Sequence, residues 1–195
     1  LTPEKIIVIT APSGSGKTTL VKRLLAACPR LEFSISACTR QPRTGETQGK
    51  DYYFYDETTF KKLIADDAFI EWEMVYTGKY YGTLRSEILR IREDNKYPLV
   101  DIDVKGALAI QEAYRNAALS IFIEAPSIDV LRQRLQARGT ETPQTLEERI
   151  DKAIHELTFA TKFDRIIIND DLETATKDLV AVVEAFIAAP PGKLS

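Results

Sequence analysis

Cysteine is nearly absent from this chain of 195 residues. The two present, Cys28 and Cys38, have neither the spacing of a disulfide framework nor that of a metal site. A disulfide-stapled secreted domain and a zinc module are therefore excluded, and a reducing cytoplasm is the expected home. Long hydrophobic runs are missing too. Nothing approaches the roughly 20 apolar residues needed to span a bilayer, and the stretch Leu1 to Lys5 lacks a signal-peptide pattern. No membrane partner is expected. Excess positive charge is also absent: 26 Lys and Arg against 29 Asp and Glu leave a net charge of −3. Nucleic-acid binding usually needs a basic face, so no nucleic-acid partner is expected. Any anion site must be built from locally placed arginines. Histidine occurs once, as His155 in a polar helical stretch, where it reads as a surface residue. The remaining bulk, 44% hydrophobic and 28% charged, is that of one globular body with a sizeable core.

Against these absences stands one informative run, Ala11-Pro12-Ser13-Gly14-Ser15-Gly16-Lys17-Thr18-Thr19. It follows Ile6-Ile7-Val8-Ile9, a β-branched apolar run that reads as a buried strand, and precedes Leu20 to Leu25, which read as an amphipathic helix. Strand, glycine-rich turn and helix together make a phosphate cradle. Backbone N–H groups and the helix N-terminus attract the anion, Lys17 reaches the outer phosphates, and the Thr18 hydroxyl can sit on Mg²⁺. Ala11 stands where the first glycine of such a loop is usual, and alanine is harder to hold at positive φ. The chain is expected to bind a nucleoside triphosphate. The scarcity of histidine then acquires meaning. Phosphorylating a hydroxyl calls for a base, whereas an acceptor phosphate, with a second pKa of about 6, is already largely ionised near neutrality.

Alternating strand and helix signals predict a parallel sheet covered by helices. Strands are expected at 6–10, 97–103, 119–124 and 165–168, with a short one near 33–36. Helices are expected at 16–27, 84–93, 104–114 and 172–188, the last ended by Pro190-Pro191-Gly192. Two segments depart from this rhythm. Residues 39–83 are rich in Tyr, Thr and Gly, with short strands at 51–55 and 69–73 and a helix over 60–64 opened by Asp56-Glu57, which suggests a small inserted lobe. Residues 127–161 are helical and arginine-rich. A turn at Gly139-Thr140-Glu141-Thr142-Pro143 leads into a helix over 146–159, the pattern of a lid over phosphates.

Seven motifs follow in order: the loop at 11–19, Ser36-x-x-Thr39-Arg40-x-Pro42-Arg43-x-Gly45-Glu46, Gly49-Lys50-Asp51-Tyr52, Phe69-Ile70-Glu71-Trp72, Tyr80-Tyr81-Gly82-Thr83, Asp101-Ile102-Asp103, and Arg134-Leu135-x-x-Arg138-Gly139-Thr140. On these the chain resembles the guanylate kinases from near its first strand to its last helix. The resemblance implies an α/β fold, a three-layer P-loop NTPase core with a parallel sheet, one domain in three parts: core at 1–35, 84–125 and 163–195, a mixed α/β GMP-binding lobe at 36–83, and a helical lid at 126–162. It implies Mg²⁺-dependent transfer of the ATP γ-phosphoryl group to GMP, and to dGMP, giving ADP and GDP in purine nucleotide metabolism. ATP and GMP are the expected partners; the sequence does not give the oligomeric state.

Carried over residue by residue, the resemblance places ATP on Pro12, Ser13, Gly14, Ser15, Gly16, Lys17, Thr18 and Thr19, with Asn169 and Asp170 near the adenine. Arg40, Arg43, Tyr52 and Tyr81 match the ligands of the GMP phosphate. Glu71, Ser36, Thr83 and Asp103 match the readers of its base. Guanine offers an N1–H and an exocyclic amine on one edge, so a single carboxylate can accept both, while adenine presents an acceptor at N1. Taken alone, Glu71 reads as the outward residue of an alternating strand, and Asp103 as a helix cap ahead of Val104. Asp101 is expected beside Asp103 on one side of their strand, ordering phosphate-binding arginines or metal waters. Lys17, Arg40, Arg134, Arg138 and Arg149 are the expected catalytic cations. The main alternative is a non-catalytic guanylate-kinase-like module that binds peptides; a related kinase acting on a phosphorylated sugar, which would have little use for Glu71 and Ser36 as base readers, and a nucleic-acid-stimulated NTPase, disfavoured by the net charge, stand behind it.

Overall fold

Ile6–Thr10 (β1) is wholly buried, as its unbroken β-branched run requires, and everything else in the core is arranged about it. The computed structural model describes residues 5–137, 139 and 142–190. Strand β1 is followed by Lys17–Ala27 (α1) and Leu31–Phe33 (β2). Next come Ala37–Cys38 (β3), Tyr53–Phe54 (β4), Glu57–Ala65 (α2), Phe69–Tyr76 (β5) and Lys79–Leu84 (β6). Arg85–Glu93 (α3), Tyr97–Asp101 (β7), Val104–Tyr114 (α4) and Ala118–Glu124 (β8) return to the centre. Ile128–Ala137 (α5), Pro143–Leu157 (α6), Arg165–Ile168 (β9) and Leu172–Ala188 (α7) complete the chain.

Five strands form a parallel sheet in the order β2-β7-β1-β8-β9. Alternation along β1 divides the core. Ile7 and Ile9 join Leu20 and Leu24 of α1 and Leu179 and Val183 of α7, whereas Ile6 and Val8 face Ile88, Ile110, Phe122 and Phe163. Helices on both faces give the expected three layers. The second sheet, order β4-β3-β6-β5, is mixed: β3 and β4 are parallel, and the other pairs are antiparallel. It closes on α2 through Phe60, which stacks on Phe69 at 4.5 Å between ring centroids. Helices α5 and α6 bury Leu131, Leu135, Leu146 and Ile150 against each other.

Several expected boundaries move for physical reasons. The short second strand lies at 31–33 rather than 33–36, because Leu31 to Phe33 pair with Tyr97 to Leu99 and the Ile35 N–H then turns to the Glu87 carboxylate. Strand β7 stops at Asp101 instead of 103, since Asp103 leaves the strand to cap α4, accepting from the Gly106 N–H at 2.8 Å. Helix α2 begins at Glu57 because Asp56 accepts the Thr59 N–H, and α6 begins at Pro143, capped by Thr142. Strands β3 and β6 were not foreseen. His155 is exposed, as expected. Of the expected stop after α7, Pro191 and Gly192 lie outside the described residues.

Candidate functional site

Because the five core strands run parallel, the segments after β1, β7, β8 and β9 all emerge at one edge of the sheet. Ligand sites of open α/β sheets gather there. The turn between β1 and α1 is shaped by two left-handed glycines, Gly14 at φ 92° and Gly16 at φ 86°; Ala11 needs no positive φ, so its substitution for glycine leaves the turn intact. Gly16 is required twice over. It caps α1 in the left-handed conformation, and a Cβ there would collide with the Asn169 side-chain amide. Asn169, 5% exposed, donates from Nδ2 to the Ser15 carbonyl at 2.8 Å, and its own N–H is tied to the Glu124 carbonyl at 2.7 Å. The end of β9 therefore props the turn from beneath. Thr18 and Thr19 are exposed on the first turn of α1.

Lys17 forms an ion pair with Asp101 at the end of β7. Asp101 thus orders the loop lysine. Above the loop runs a cleft of about 330 Å³ lined by Pro12, Ser13, Gly14, Gly16, Lys17 and Thr18, and closed by Arg149, Lys152 and Glu156 of α6. Arg149 Nη1 reaches Ser13 Oγ at 3.3 Å. From α5, Arg134 Nη2 donates to the Asn169 carbonyl at 2.9 Å, while its buried Nη1 has no hydrogen-bond partner among the described residues. Arg138 lies outside the described residues. Asp170 is exposed just past Asn169.

A second cleft, about 480 Å³, lies between the two sheets. Its walls include Ser36, Tyr52, Glu71, Tyr81, Asp101 and Asp103. Glu71 does not point outward. Its residue is 9% exposed, whereas its neighbour Trp72 is 45% exposed. Thr83 Oγ1 donates to Glu71 Oε1 at 2.6 Å, so Thr83 holds the carboxylate from behind. Burial pushes the Glu71 carboxyl up to about 7; the Thr83 hydrogen bond opposes that rise, and the Asp103 charge adds to it. Near the cleft Arg40 lies over the Tyr52 ring, 4.7 Å from its centroid, and Tyr52 meets Tyr81 edge to face at 6.3 Å. Arg43 is exposed beside it.

The two clefts share Lys17, Thr18, Asp103 and Lys152 as common walls. An anion held on the loop and one held in the second cleft would meet at that boundary.

Four residues escaped the sequence reading. Glu46 grips both Arg40 Nη1 and Nη2 at 2.6 Å and accepts the Arg43 N–H at 2.7 Å; the Arg40 hydrogen bonds hold its carboxyl down at about 2. It lies in the same motif as Arg40 and Arg43, and its spacing of six from Arg40 is the signal. Lys152 and Glu156 share a helix face with Arg149, at the i, i+3, i+7 spacing that identifies such a face. Glu87, 2% exposed, ties the lobes together by accepting from Ile35 N, Tyr53 Oη and Arg90.

The guanylate kinase family model matches residues 3–186. The guanylate kinase of Bacteroides fragilis is 46% identical over 183 residues, covering 94% of this chain and 90% of that protein. That of Porphyromonas gingivalis is 46% identical over 185 residues, 94% of this chain and 98% of its own. Among solved structures, guanylate kinase from Anaplasma phagocytophilum superposes with a TM-score of 0.76 at 30% identity, over 96% of this chain and 88% of that one. Shikimate kinase from Bacteroides thetaiotaomicron, at 17% identity and a TM-score of 0.52 over 92% of this chain and 98% of its own, shares the fold alone.

Proposed function

We propose, on the premise that this chain belongs to the guanylate kinase family and is an ATP:GMP phosphotransferase, that the two joined clefts divide the nucleotides between them. Nothing favours the alternative of a non-catalytic peptide-binding module. ATP takes the cleft over Ser13 to Thr19 and GMP the cleft between the sheets; dGMP is the further acceptor. The observation that carries this division is the shared boundary at Lys17, Thr18, Asp103 and Lys152. Residues 36–83 act as the acceptor lobe, 126–162 as the lid, and 1–35, 84–125 and 163–195 as the core.

The base edge donates its N1–H and exocyclic amine to the Glu71 carboxylate, with Ser36, Thr83 and Asp103 completing the polar surround. Asp103 has two oxygens, so capping α4 with one leaves the other for the nucleotide. Sites built from such buried polar groups reject an analogue that leaves them unpaired by about 10⁴–10⁵-fold. Arg40 and Arg43 hold the GMP phosphate with the Tyr52 and Tyr81 hydroxyls, guanidinium forks being matched to phosphate oxygens. On the donor side, backbone N–H groups of the loop cradle the phosphates. Lys17 exchanges Asp101 for phosphate oxygens, which keeps the ammonium oriented before substrate arrives. Asn169 and Asp170 lie towards the adenine. Arg134, Arg138 and Arg149 neutralise charge that shifts between leaving and accepting oxygens, and closure of the lid excludes water that would otherwise accept the phosphoryl group.

The site's chemistry suits Mg²⁺. The Thr18 hydroxyl is a hard oxygen donor, and among the described residues no cluster of three or more His, Cys, Asp or Glu offers a dedicated cage. Mg²⁺ is commonly held by one or two protein oxygens plus substrate phosphates and water. Bound on Thr18 and the triphosphate, the ion would supply charge neutralisation. Catalysis by the chain itself is positioning and electrostatics, with no covalent enzyme intermediate.

The test is acceptor-dependent ADP release from ATP with GMP, dGMP, AMP and ribose phosphates. GMP and dGMP are expected to support turnover and the others to fail. Equal rates with AMP, or with a ribose phosphate, would refute the reading of the second cleft as a guanine site. No helix of the described chain is long and apolar enough to cross a membrane. Work on soluble protein in a cytoplasmic nucleotide pool is the setting this reading assigns.

A further inference from the structure

Helix α4 meets the Glu71 carboxylate at a residue that has no side chain. A Cβ built on Gly106 would lie 2.8 Å from Glu71 Oε2, 3.2 Å from Glu71 Cδ and 3.2 Å from Ile102 Cδ1. The first of these is closer than a carbon and an unbonded oxygen settle. Backbone conformation does not explain the glycine. Gly106 is the third residue of α4 and is not among the glycines with positive φ. Alanine is the better helix former at such a position. What demands glycine here is space.

The carboxylate has little freedom to retreat. Thr83, fully buried, holds Oε1 from the far side at 2.6 Å. A methyl group on Gly106 would push Oε2 against that hydrogen bond or out into the cleft where a base would sit. The Gly106 N–H also fixes Asp103, the second carboxylate on that wall, at 2.8 Å.

We propose that Gly106 is a positioning residue for base selection: its missing side chain is the seat that aims the Glu71 carboxylate at the guanine edge. The proposal rests on Glu71 as the acceptor of that edge, as read above. Seated correctly, the carboxylate receives both the N1–H and the exocyclic amine. Displaced, it loses the two-point geometry, and a misplacement of about 1 Å can cost about 10²-fold. The damage falls on the acceptor base and leaves the phosphate loop alone.

Steady-state kinetics of Gly106→Ala, with GMP and with inosine monophosphate, which lacks the exocyclic amine, test this. The variant is expected to raise the KM for GMP about 10–100-fold and to leave the KM for ATP within about twofold. Its preference for GMP over inosine monophosphate should fall about tenfold or more, and its melting temperature should hold. In a Glu71→Gln background the same substitution should add almost nothing, because the two residues act through one contact. If Glu71→Gln alone leaves kcat/KM for GMP unchanged, the reading of Glu71 falls and this proposal with it. If Glu71→Gln is damaging while Gly106→Ala is silent, only the Gly106 proposal falls. Equal rises in both KM values, an unchanged preference between the two acceptors, or loss of folding would show that α4 merely needs glycine for packing, and would overturn it.

Discussion

Lowering the pH from 8 to 6 should weaken GMP binding about tenfold through Glu71 alone. Burial drives this carboxyl up to about 7, against the opposing Thr83 hydrogen bond and with help from the Asp103 charge. Only the ionised form accepts two N–H groups. With a pKa near 7, about nine-tenths of the protein is competent at pH 8 and about one-tenth at pH 6. The acceptor phosphate titrates near 6 as well, so the same series must be run on Glu71→Gln, where only the phosphate contribution survives.

The same group links pH to stability, with the sign set by the direction of its displacement. A carboxyl raised on folding binds its proton more tightly in the folded state than in the unfolded one. Ligand-free protein should therefore lose stability as the pH climbs from about 4.5 to about 7, and lose no more above that. The full difference corresponds to about 3 kcal/mol. Glu71→Gln keeps an oxygen for the Thr83 hydroxyl and removes the buried charge. It should be the more stable protein at pH 8, by up to about 3 kcal/mol, while binding GMP poorly. Titration calorimetry with GMP and chemical denaturation, each across pH 5–8, read both effects. Identical pH slopes in parent and variant, or a variant less stable than the parent at pH 8, would refute the reasoning.

Other substitutions divide the site differently. Lys17→Ala should cut kcat by about 10³-fold or more without lowering the melting temperature appreciably, checked by coupled ADP release and thermal denaturation; near-normal turnover would remove Lys17 from the chemistry. Asn169→Ala strips the donor from the buried Ser15 carbonyl. It should cost about 1–3 kcal/mol of stability and raise the KM for ATP more than that for GMP, as denaturant midpoints and paired kinetics would show. Glu46→Gln replaces the charge that fixes the Arg40 fork. It should raise the KM for GMP about tenfold with the KM for ATP unmoved, since charge-assisted forks are about twice as strong as neutral ones.

The core was legible because its signals are long or chemically unusual. Ile6 to Ile9 can only be a buried strand, and a glycine-rich turn ending in Lys17-Thr18 has few uses other than phosphate. The inserted lobe was harder to read. Strands β3 and β4 are two residues each, too short to show a period, and β6 carries Gly82 in its middle. Asp103 read both as strand end and as helix cap because one local sequence serves both, and its side chain accepts the Gly106 N–H three residues on, as a cap. Glu71 looked outward by alternation; the burial of its carboxylate depends on Thr83 and Gly106, which lie 12 and 35 positions away in the sequence. Lys152 and Glu156 sat on a helix face with Arg149, yet a charged face is usually solvated, and only the fold sets this one over the clefts.

The most direct test of the central claim is inhibition by an adenosine–guanosine pentaphosphate, a single molecule long enough to lie across both clefts. If the nucleotides meet end to end at Lys17 and Thr18, it will compete with ATP and with GMP alike, and bind more tightly than either. Competition with only one of them would contradict the account.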